Sequence, residues 1–498
     1  MNFYSEAATL YLLFTLIVIC LIRRINSSKK VIYRFPPGPP PLPVIGNVHL
    51  LDLKGQDYSL MKLAKKYGNV FSFHLGKRKS VVLIGYDANK EALVNSSYEF
   101  GSRGAVPATD NFQHGQGIFF SNGEIWKVTR RFTLSILRDI GMGKRPVEGK
   151  IIEELHHISE LIKSFNGEPF TKNIFTNAPP NIIYGMLFGR RFDYNNQTFK
   201  KMVGVIDDII ILVGSPSVQY FNVFPVLKYV LKSPGIIVKR VEELNIVLKE
   251  LIREARDAVS ETEWATYIQA FIQKDLNETT TEENGKIFQE KNLLACIFDL
   301  MLGGTETTST TLQWGFLLMM KYPDVQQKVH EEIANVIGLD RVPRWDDQKQ
   351  LPYCMAVIHE IQRFGNILQF LPHSTSMDTH FRGYFLPKGT YVIPLITSVL
   401  YDETQWETPY QFNPNHFLDA DGNFMKRDAF FAFSKGRRAC AGESLARMEL
   451  FLFFTGLVQK FNFHVPPGLD KSDLDLTRDA FFTMRPKLYN ICATTWQK

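Results

Sequence analysis

A mainly α fold with small β-sheets, built as one large domain, is what this sequence predicts, and three observations carry that reading. Long stretches repeat their apolar residues at helical spacing, only a few short runs are rich in the residues that favour strands, and no internal repeat divides the 498 residues. Hydrophobic residues make up 45% and aromatic residues 13%, with 39 Phe, which is ample for one extensive core. Five cysteines (Cys20, Cys296, Cys354, Cys440, Cys492) are scattered without a CxxC pair. That argues against a disulfide framework and a zinc module, and it suits a reducing compartment. A net charge of +6 is too modest for a nucleic-acid partner but allows a basic patch toward an acidic protein or anionic membrane.

The N-terminus stands apart from that core. Residues 7–22 are a charge-free apolar run, followed by Arg23, Arg24, Lys29, Lys30 and Arg34. As a helix the run would span roughly 24 Å, near the roughly 27 Å hydrocarbon of the endoplasmic reticulum membrane. The basic flank stays cytosolic under the positive-inside rule, so residues 1–24 are expected to form a single-pass anchor with the body on the cytosolic face. A cleaved signal peptide would need positive charge before the run and a small-residue cleavage site after it, and neither is present. The sequons at Asn95, Asn196 and Asn277 would then never meet lumenal glycosylation. Residues 25–47 add the basic flank and a hinge, whose six prolines between Phe35 and Pro43 forbid helix and favour a stiff, extended segment.

Residues 70–75 and 80–84, joined by 76–79, read as a hairpin, with further strands near 391–395 and near the C-terminus. Helices are expected at about 57–67, 87–95, 123–138, 150–163, 174–188, 197–214, 235–258, 288–320, 322–337, 352–365 and 443–460. The polar, acidic stretch from Leu276 reads as an exposed loop.

Four motifs carry chemistry. Phe433-Ser434-Lys435-Gly436-Arg437-Arg438-Ala439-Cys440-Ala441-Gly442 places one cysteine in a basic, glycine-flanked loop just before an amphipathic helix. Helix N-terminus and arginines together favour a thiolate, which could serve as nucleophile, zinc ligand or haem ligand. Glu360 and Arg363 share a helical face at i, i+3; seen alone, such a pair is commonplace. Gly303-Gly304-Thr305-Glu306-Thr307-Thr308 loosens an otherwise apolar helix, and its acid and hydroxyl could relay protons; a packing glycine pair beside a solvated Glu is the plainer alternative. Trp126 and Arg130, at i, i+4, are both donors suited to a carboxylate or phosphate, although a core Trp beside a solvated Arg would look the same.

In this order, these motifs resemble the cytochrome P450 superfamily over essentially the whole chain. The segments Phe412-Asn-Pro-Asn-His-Phe417, Phe100-Gly-Ser-Arg103 and the helix after Gly442 look like the animal microsomal group called family two. The resemblance implies a P450 catalytic domain over 48–498, with Cys440 as the thiolate ligand of a haem iron, a ligand that favours O–O cleavage. Phe433 would pack beside the sulfur, and Gly436 and Gly442 would let backbone N–H groups reach it. Arg103, Trp126, Arg130, His373 and Arg438 match positions that bind haem propionates. Glu306 and Thr307 match the acid–alcohol pair that delivers protons, and Glu360 and Arg363 a buried network completed by His416.

The implied reaction inserts one atom of dioxygen into a lipophilic substrate (a fatty acid, steroid or foreign compound), with electrons from NADPH–cytochrome P450 reductase and possible help from cytochrome b5. Lys127, Arg131, Lys435 and Arg437 are candidates for the reductase face. By similarity, Phe112, Phe119, Phe120, Ile209, Ile211, Phe298, Leu368, Phe370 and Phe481 would supply an apolar cavity. A haem-thiolate isomerase or dehydratase, and a non-enzymatic membrane-anchored haem sensor, are the competing readings; the Glu306–Thr307 pair speaks against the first and the full set of motifs against the second.

Overall fold

The computed structural model describes residue 15 and residues 34–496, apart from 53, 259–263, 278–286 and 481. The expected anchor, Thr15 excepted, therefore lies outside the described residues, as does Phe481. Among the described residues no single helix is long and apolar enough to cross a membrane.

In chain order the helices are α1 (Gln56–Tyr67), α2 (Gly85–Lys90), α3 (Pro107–Gln113), α4 (Gly123–Ile140), α5 (Arg145–Ser164), α6 (Ala178–Phe188), α7 (Gln197–Gly214), α8 (Pro216–Val223), α9 (Ser233–Asp257), α10 (Tyr267–Asn277), α11 (Glu290–Lys321), α12 (Pro323–Val336), α13 (Pro352–Gly365), α14 (Thr397–Leu400) and α15 (Glu443–Lys460). The strands are β1 (Val70–Leu75), β2 (Arg78–Leu83), β3 (Ser102–Arg103), β4 (Phe170–Thr171), β5 (His373–Ser374), β6 (Thr379–Phe381), β7 (Tyr384–Leu386), β8 (Tyr391–Pro394), β9 (Phe461–His464), β10 (Arg478–Ala480), β11 (Met484–Pro486) and β12 (Asn490–Thr495). One sheet runs β1-β2-β8-β5-β3, a second β4-β12-β9, and β6–β7 and β10–β11 pair as hairpins.

The mainly α class with small sheets holds. The expected helices 197–214 and 443–460 coincide with α7 and α15. Helices α3, α8, α10 and α14 were not foreseen. The first two are short and open on a proline, a residue that starts a helix and a turn equally well. The β1–β2 hairpin is tighter than expected: Leu75 faces Arg78, so only Gly76 and Lys77 turn, and β2 begins two residues before Ser80. Charge at Arg78 and Lys79 had suggested a loop, but both sit at partly or fully exposed strand positions where water reaches them.

The helix after Cys440 is not amphipathic as expected. From Met448 to Gln459 every residue of α15 is buried, so it runs through the core instead of along its edge. It lies against α11, itself buried from Asn292 to Met320 except at Leu302, Gly303, Gly304 and Thr307. Those four residues form a window on one stretch of an otherwise enclosed helix.

The proline-rich segment does more than space the domain. Ser72 N–H donates to Pro37 O at 2.7 Å and Asn47 Nδ2 to Pro40 O at 3.1 Å, fastening it along β1. A Cβ at Gly38 would stand 2.1 Å from Ser72 O, so this approach needs glycine.

Glu360 and Arg363 are fully buried and joined by two bonds of 2.7 Å. Arg363 also donates to the carbonyls of Leu400, Pro409 and Gln411 at 2.9, 2.7 and 2.8 Å, tying α13 to the chain that leads toward Cys440. His416 Nδ1 donates to both Glu360 oxygens at 3.2 Å, and its Nε2 accepts from Thr408 Oγ1 at 2.9 Å. The histidine thus closes the network around this pair. Glu360→Gln leaves a buried guanidinium without its countercharge, and we expect a loss of about 3–5 kcal/mol, read as a collapse of folded yield or a drop in Tm.

Candidate active site

The cysteine loop is shaped by two left-handed residues, Ser434 (φ 57°) and Gly436 (φ 76°), before a short turn over Gly436–Arg438. Cys440 N–H donates to Phe433 O at 2.9 Å, and Arg130 Nη2 donates to Ala439 O at 2.5 Å. Phe433 lies beneath the Arg447 guanidinium, 5.1 Å from its ring centre. A Cβ on Gly436 would fall 1.7 Å from Leu93 O, so this glycine seats the loop on the π-helical turn Glu91–Asn95. The backbone N–H beside the sulfur comes from Gly442.

Cys440 is exposed, whereas Cys296, Cys354 and Cys492 are buried. Crowding by surrounding protein nevertheless raises its thiol pKa, with Glu443 adding to the rise; the Gly442 N–H and Arg130 lower it without prevailing. The lowered thiol pKa expected from the loop's arginines is therefore not produced by the protein alone.

Arg103, Arg130 and Arg438 converge from β3, α4 and the cysteine loop. Arg438 donates Nε to Gly101 O at 2.8 Å and Nη2 to Ser121 O and Asn122 Oδ1 at 2.8 and 2.9 Å. Its guanidinium lies 3.8 Å from the Trp126 ring centre. Arg103 donates Nε to Phe119 O at 3.2 Å, and its Nη1 meets His373 Nε2 at 2.6 Å. His373 Nδ1 donates to Phe100 O at 2.7 Å, so Nε2 is left as the acceptor for Arg103. Burial and Arg103 hold this imidazole well below its ordinary pKa. Both of its nitrogens thus have protein partners, and His373 braces Arg103 instead of presenting a donor of its own.

No carboxylate pairs with these arginines among the described residues. Burial, then mutual repulsion, pushes Arg103 down to about 9 and Arg438 to about 8, while burial lowers Arg130. Within this cluster, two buried donors, Trp126 Nε1 and Arg438 Nη1, have no partner among the described residues. Surplus positive charge with spare donors beside a reachable cysteine fits a dianionic haem whose iron takes the sulfur. Among the described residues no cluster of three or more His, Cys, Asp or Glu could hold a bare metal ion. Asn122 was missed in the sequence: besides accepting from Arg438, its Oδ1 accepts from Arg103 N at 2.7 Å and its Nδ2 donates to Arg103 O at 3.0 Å, which joins two of the arginines.

On α11, Thr307 lies in the window, its Oγ1 donating to Gly303 O at 2.7 Å. Glu306 turns away into a clamp. Its Oε1 accepts from Arg485 Nε at 2.7 Å, from Thr310 Oγ1 at 3.0 Å and from the Thr483 hydroxyl, and its Oε2 from Arg485 Nη2 at 2.6 Å. The expected acid–alcohol pair is adjacent in sequence, but the acid is held by the C-terminal hairpin.

A cavity reaches α11 from beneath α3, α7 and α8, and Phe112, Phe120, Ile209, Phe298 and Phe370 line it as expected. Ile210 and Val213 take the place expected for the exposed Ile211, Phe482 and Met484 come from the β10–β11 turn, and neither Phe119 nor Leu368 lines it. Phe119 packs edge-on against Phe120, ring centres 4.8 Å apart. The wall also holds a buried carboxylate. Asp299 accepts from Gln113 Nε2 at 2.6 Å and from the Ile118 and Phe119 N–H groups at 2.7 and 2.9 Å. These bonds set the loop before α4.

Fold and site together define a thiolate-ligated haem protein. The chain belongs to the cytochrome P450 family: the family described as Cytochrome P450 matches residues 36–493. Within it, the chain is 47% identical to human Cytochrome P450 2W1 over 92% of its own length and 93% of that protein. It is 45% identical to Cytochrome P450 2K4 of Oncorhynchus mykiss (99% and 98% covered) and 43% identical to Cytochrome P450 2F2 of Mus musculus (89% and 90% covered). It is therefore a family-two cytochrome P450, a monooxygenase whose cofactor is haem.

Asp299 supplies a test of the cavity wall. Burial pushes its carboxyl up to about 6, against the lowering effect of its three hydrogen bonds. A folded-state pKa above the unfolded value of about 3.9 means that the folded protein binds the extra proton. Its stabilising share is therefore full below pH 4 and lost as pH rises through 6. Asp299→Asn should flatten this part of the Tm-versus-pH curve. The buried, unpartnered Oε1 of Gln113 can turn to accept from the new amide, so the fold should survive.

Proposed function

We propose that Cys440 would ligate the haem iron and that Trp126 Nε1 and Arg438 Nη1 would hold the propionates, with Arg130 and the His373-braced Arg103 supplying charge. The observation that carries this is the pair of unpartnered buried donors within an arginine cluster that has no carboxylate. Phe433 shields the sulfur side, and the Gly442 N–H donates to it. When bound, the haem supplies the redox chemistry that activates dioxygen.

The remaining work falls to side chains. The hydroxyl of Thr307, in the α11 window, orients and passes protons at Oγ1, and Glu306 is the acid that resupplies it. Leu302 and Phe298 carry the cavity wall up to that window, so a substrate reaching it meets apolar surface and little water. The substrate is a lipophilic molecule of the fatty acid, steroid or foreign-compound class, since an apolar wall separates such molecules weakly. Electrons come from the NADPH-dependent reductase, with cytochrome b5 as a second donor. Arg437, stacked 4.0 Å from the ring centre of the exposed Tyr98, and Lys435 offer a basic face near the loop. Residues 1–24 anchor the chain in the endoplasmic reticulum membrane, with this domain on the cytosolic side.

Cys440→Ser should fold yet lose the red-shifted carbon monoxide band of the reduced protein. Survival of that band overturns the assignment. Thr307→Ala should keep the band while product per NADPH drops about tenfold; unchanged coupling would remove Thr307 from proton delivery.

A further inference from the structure

The clamp on Glu306 has a second acid. Arg485 Nη2 lies 2.6 Å from Glu306 Oε2 and also 2.6 Å from Asp207 Oδ1 on α7. One guanidinium thus serves two carboxylates on different helices. Their situations differ: Glu306 is 6% exposed and Asp207 48%. Helix α7 also forms the cavity roof through Ile209, Ile210 and Val213. The neighbouring Asp208 pairs with Arg240 of α9 at 3.1 Å and leaves Arg485 to Asp207. Lys172, the other cation near Glu306, is held by Gln313 Oε1 and Pro486 O at 3.0 and 2.7 Å and does not shift between the acids. Asp479 completes the charged groups that face this site.

We propose that Arg485 is a positioning residue that withholds or releases Glu306 according to how firmly Asp207 of the cavity roof draws on it. This rests on the reading of Glu306 as the proton-supplying acid. A roof settled onto cavity contents brings Asp207 to bear on Arg485 and loosens its two bonds to Glu306, leaving that carboxyl to Thr310 and Thr483 beside Thr307. A lifted roof leaves Arg485 paired with Glu306, and proton supply stops. The arrangement ties proton delivery to occupancy through a single side chain.

The test uses the full-length haem-loaded protein with reductase, with dodecan-1-ol as the probe, and reads hydrogen peroxide released per NADPH together with amide exchange over 203–214 and 484–486. Asp207→Asn should at least double the peroxide ratio, Asp207→Glu should restore it, and Asp207→Asn with Glu306→Gln should be no worse than Glu306→Gln alone. Exchange in α7 should quicken in Asp207→Asn while 484–486 stays protected, because Arg485 keeps Glu306. These differences from the parent protein should appear with the alcohol present and disappear without it; differences that do not depend on the alcohol overturn the proposal. An unchanged peroxide ratio, additive effects, or faster exchange at 484–486 overturns the proposal. If Glu306→Gln itself leaves the ratio unchanged, the acid reading of Glu306 fails, and the exchange data still decide whether the two acids share Arg485.

Discussion

Buried positive charge without a protein counter-ion is the constraint around which the site is built. Arg103, Arg130 and Arg438 stand close enough that each disfavours the others' charge, and the fold bears that cost instead of placing a carboxylate among them. Asn122 and the carbonyls of Gly101, Phe119 and Ser121 hold the guanidinium groups in place by neutral hydrogen bonds. Such bonds fix direction without neutralising charge, so the field remains available to a bound dianion. On the proposed assignment of these residues to the haem propionates, the pocket's affinity would be stored as repulsion in the protein.

Two buried acids elsewhere use the same device with the sign reversed. Asp299 and Glu449 are buried acids without a nearby cation, raised to about 6 and about 8. Near neutral pH Glu449 keeps its proton, and Thr308 Oγ1 donates to it at 2.9 Å across the seam between α11 and α15. The two central helices are therefore joined by a neutral hydrogen bond. Glu306, two residues from Thr308, is the acid on that stretch of α11 that receives a cation, and it must share it with Asp207.

Much of this was legible in the sequence. Helical periodicity located α7 and α15 because each is a long, uninterrupted apolar pattern. It misjudged the character of α15, since spacing distinguishes one-sided from all-round burial only when the polar face is broad. The hairpin register was off by two residues because Arg78 and Lys79 look like a loop until strand pairing places them at accessible positions. Trp126, Arg130, Arg438 and Cys440 were found by motif, and the structure brings them together. Asn122, Arg485 and Asp207 carry no signal of their own: their roles come from contacts across hundreds of residues.

The sequence by itself determined a mainly helical chain and, through the order of motifs that resemble one family, a haem-thiolate monooxygenase; residue type and spacing alone left Cys440 open to three chemistries. Only the tertiary structure decided which way those side chains face. It turned His373 onto Arg103, turned Glu306 onto a guanidinium from the C-terminal hairpin, and left the thiol of Cys440 less acidic than its neighbours in sequence suggested. The physical reason is that charge interactions and desolvation depend on distance in space, and the groups that settle them for Glu306 come from α7 and β11, far away along the chain.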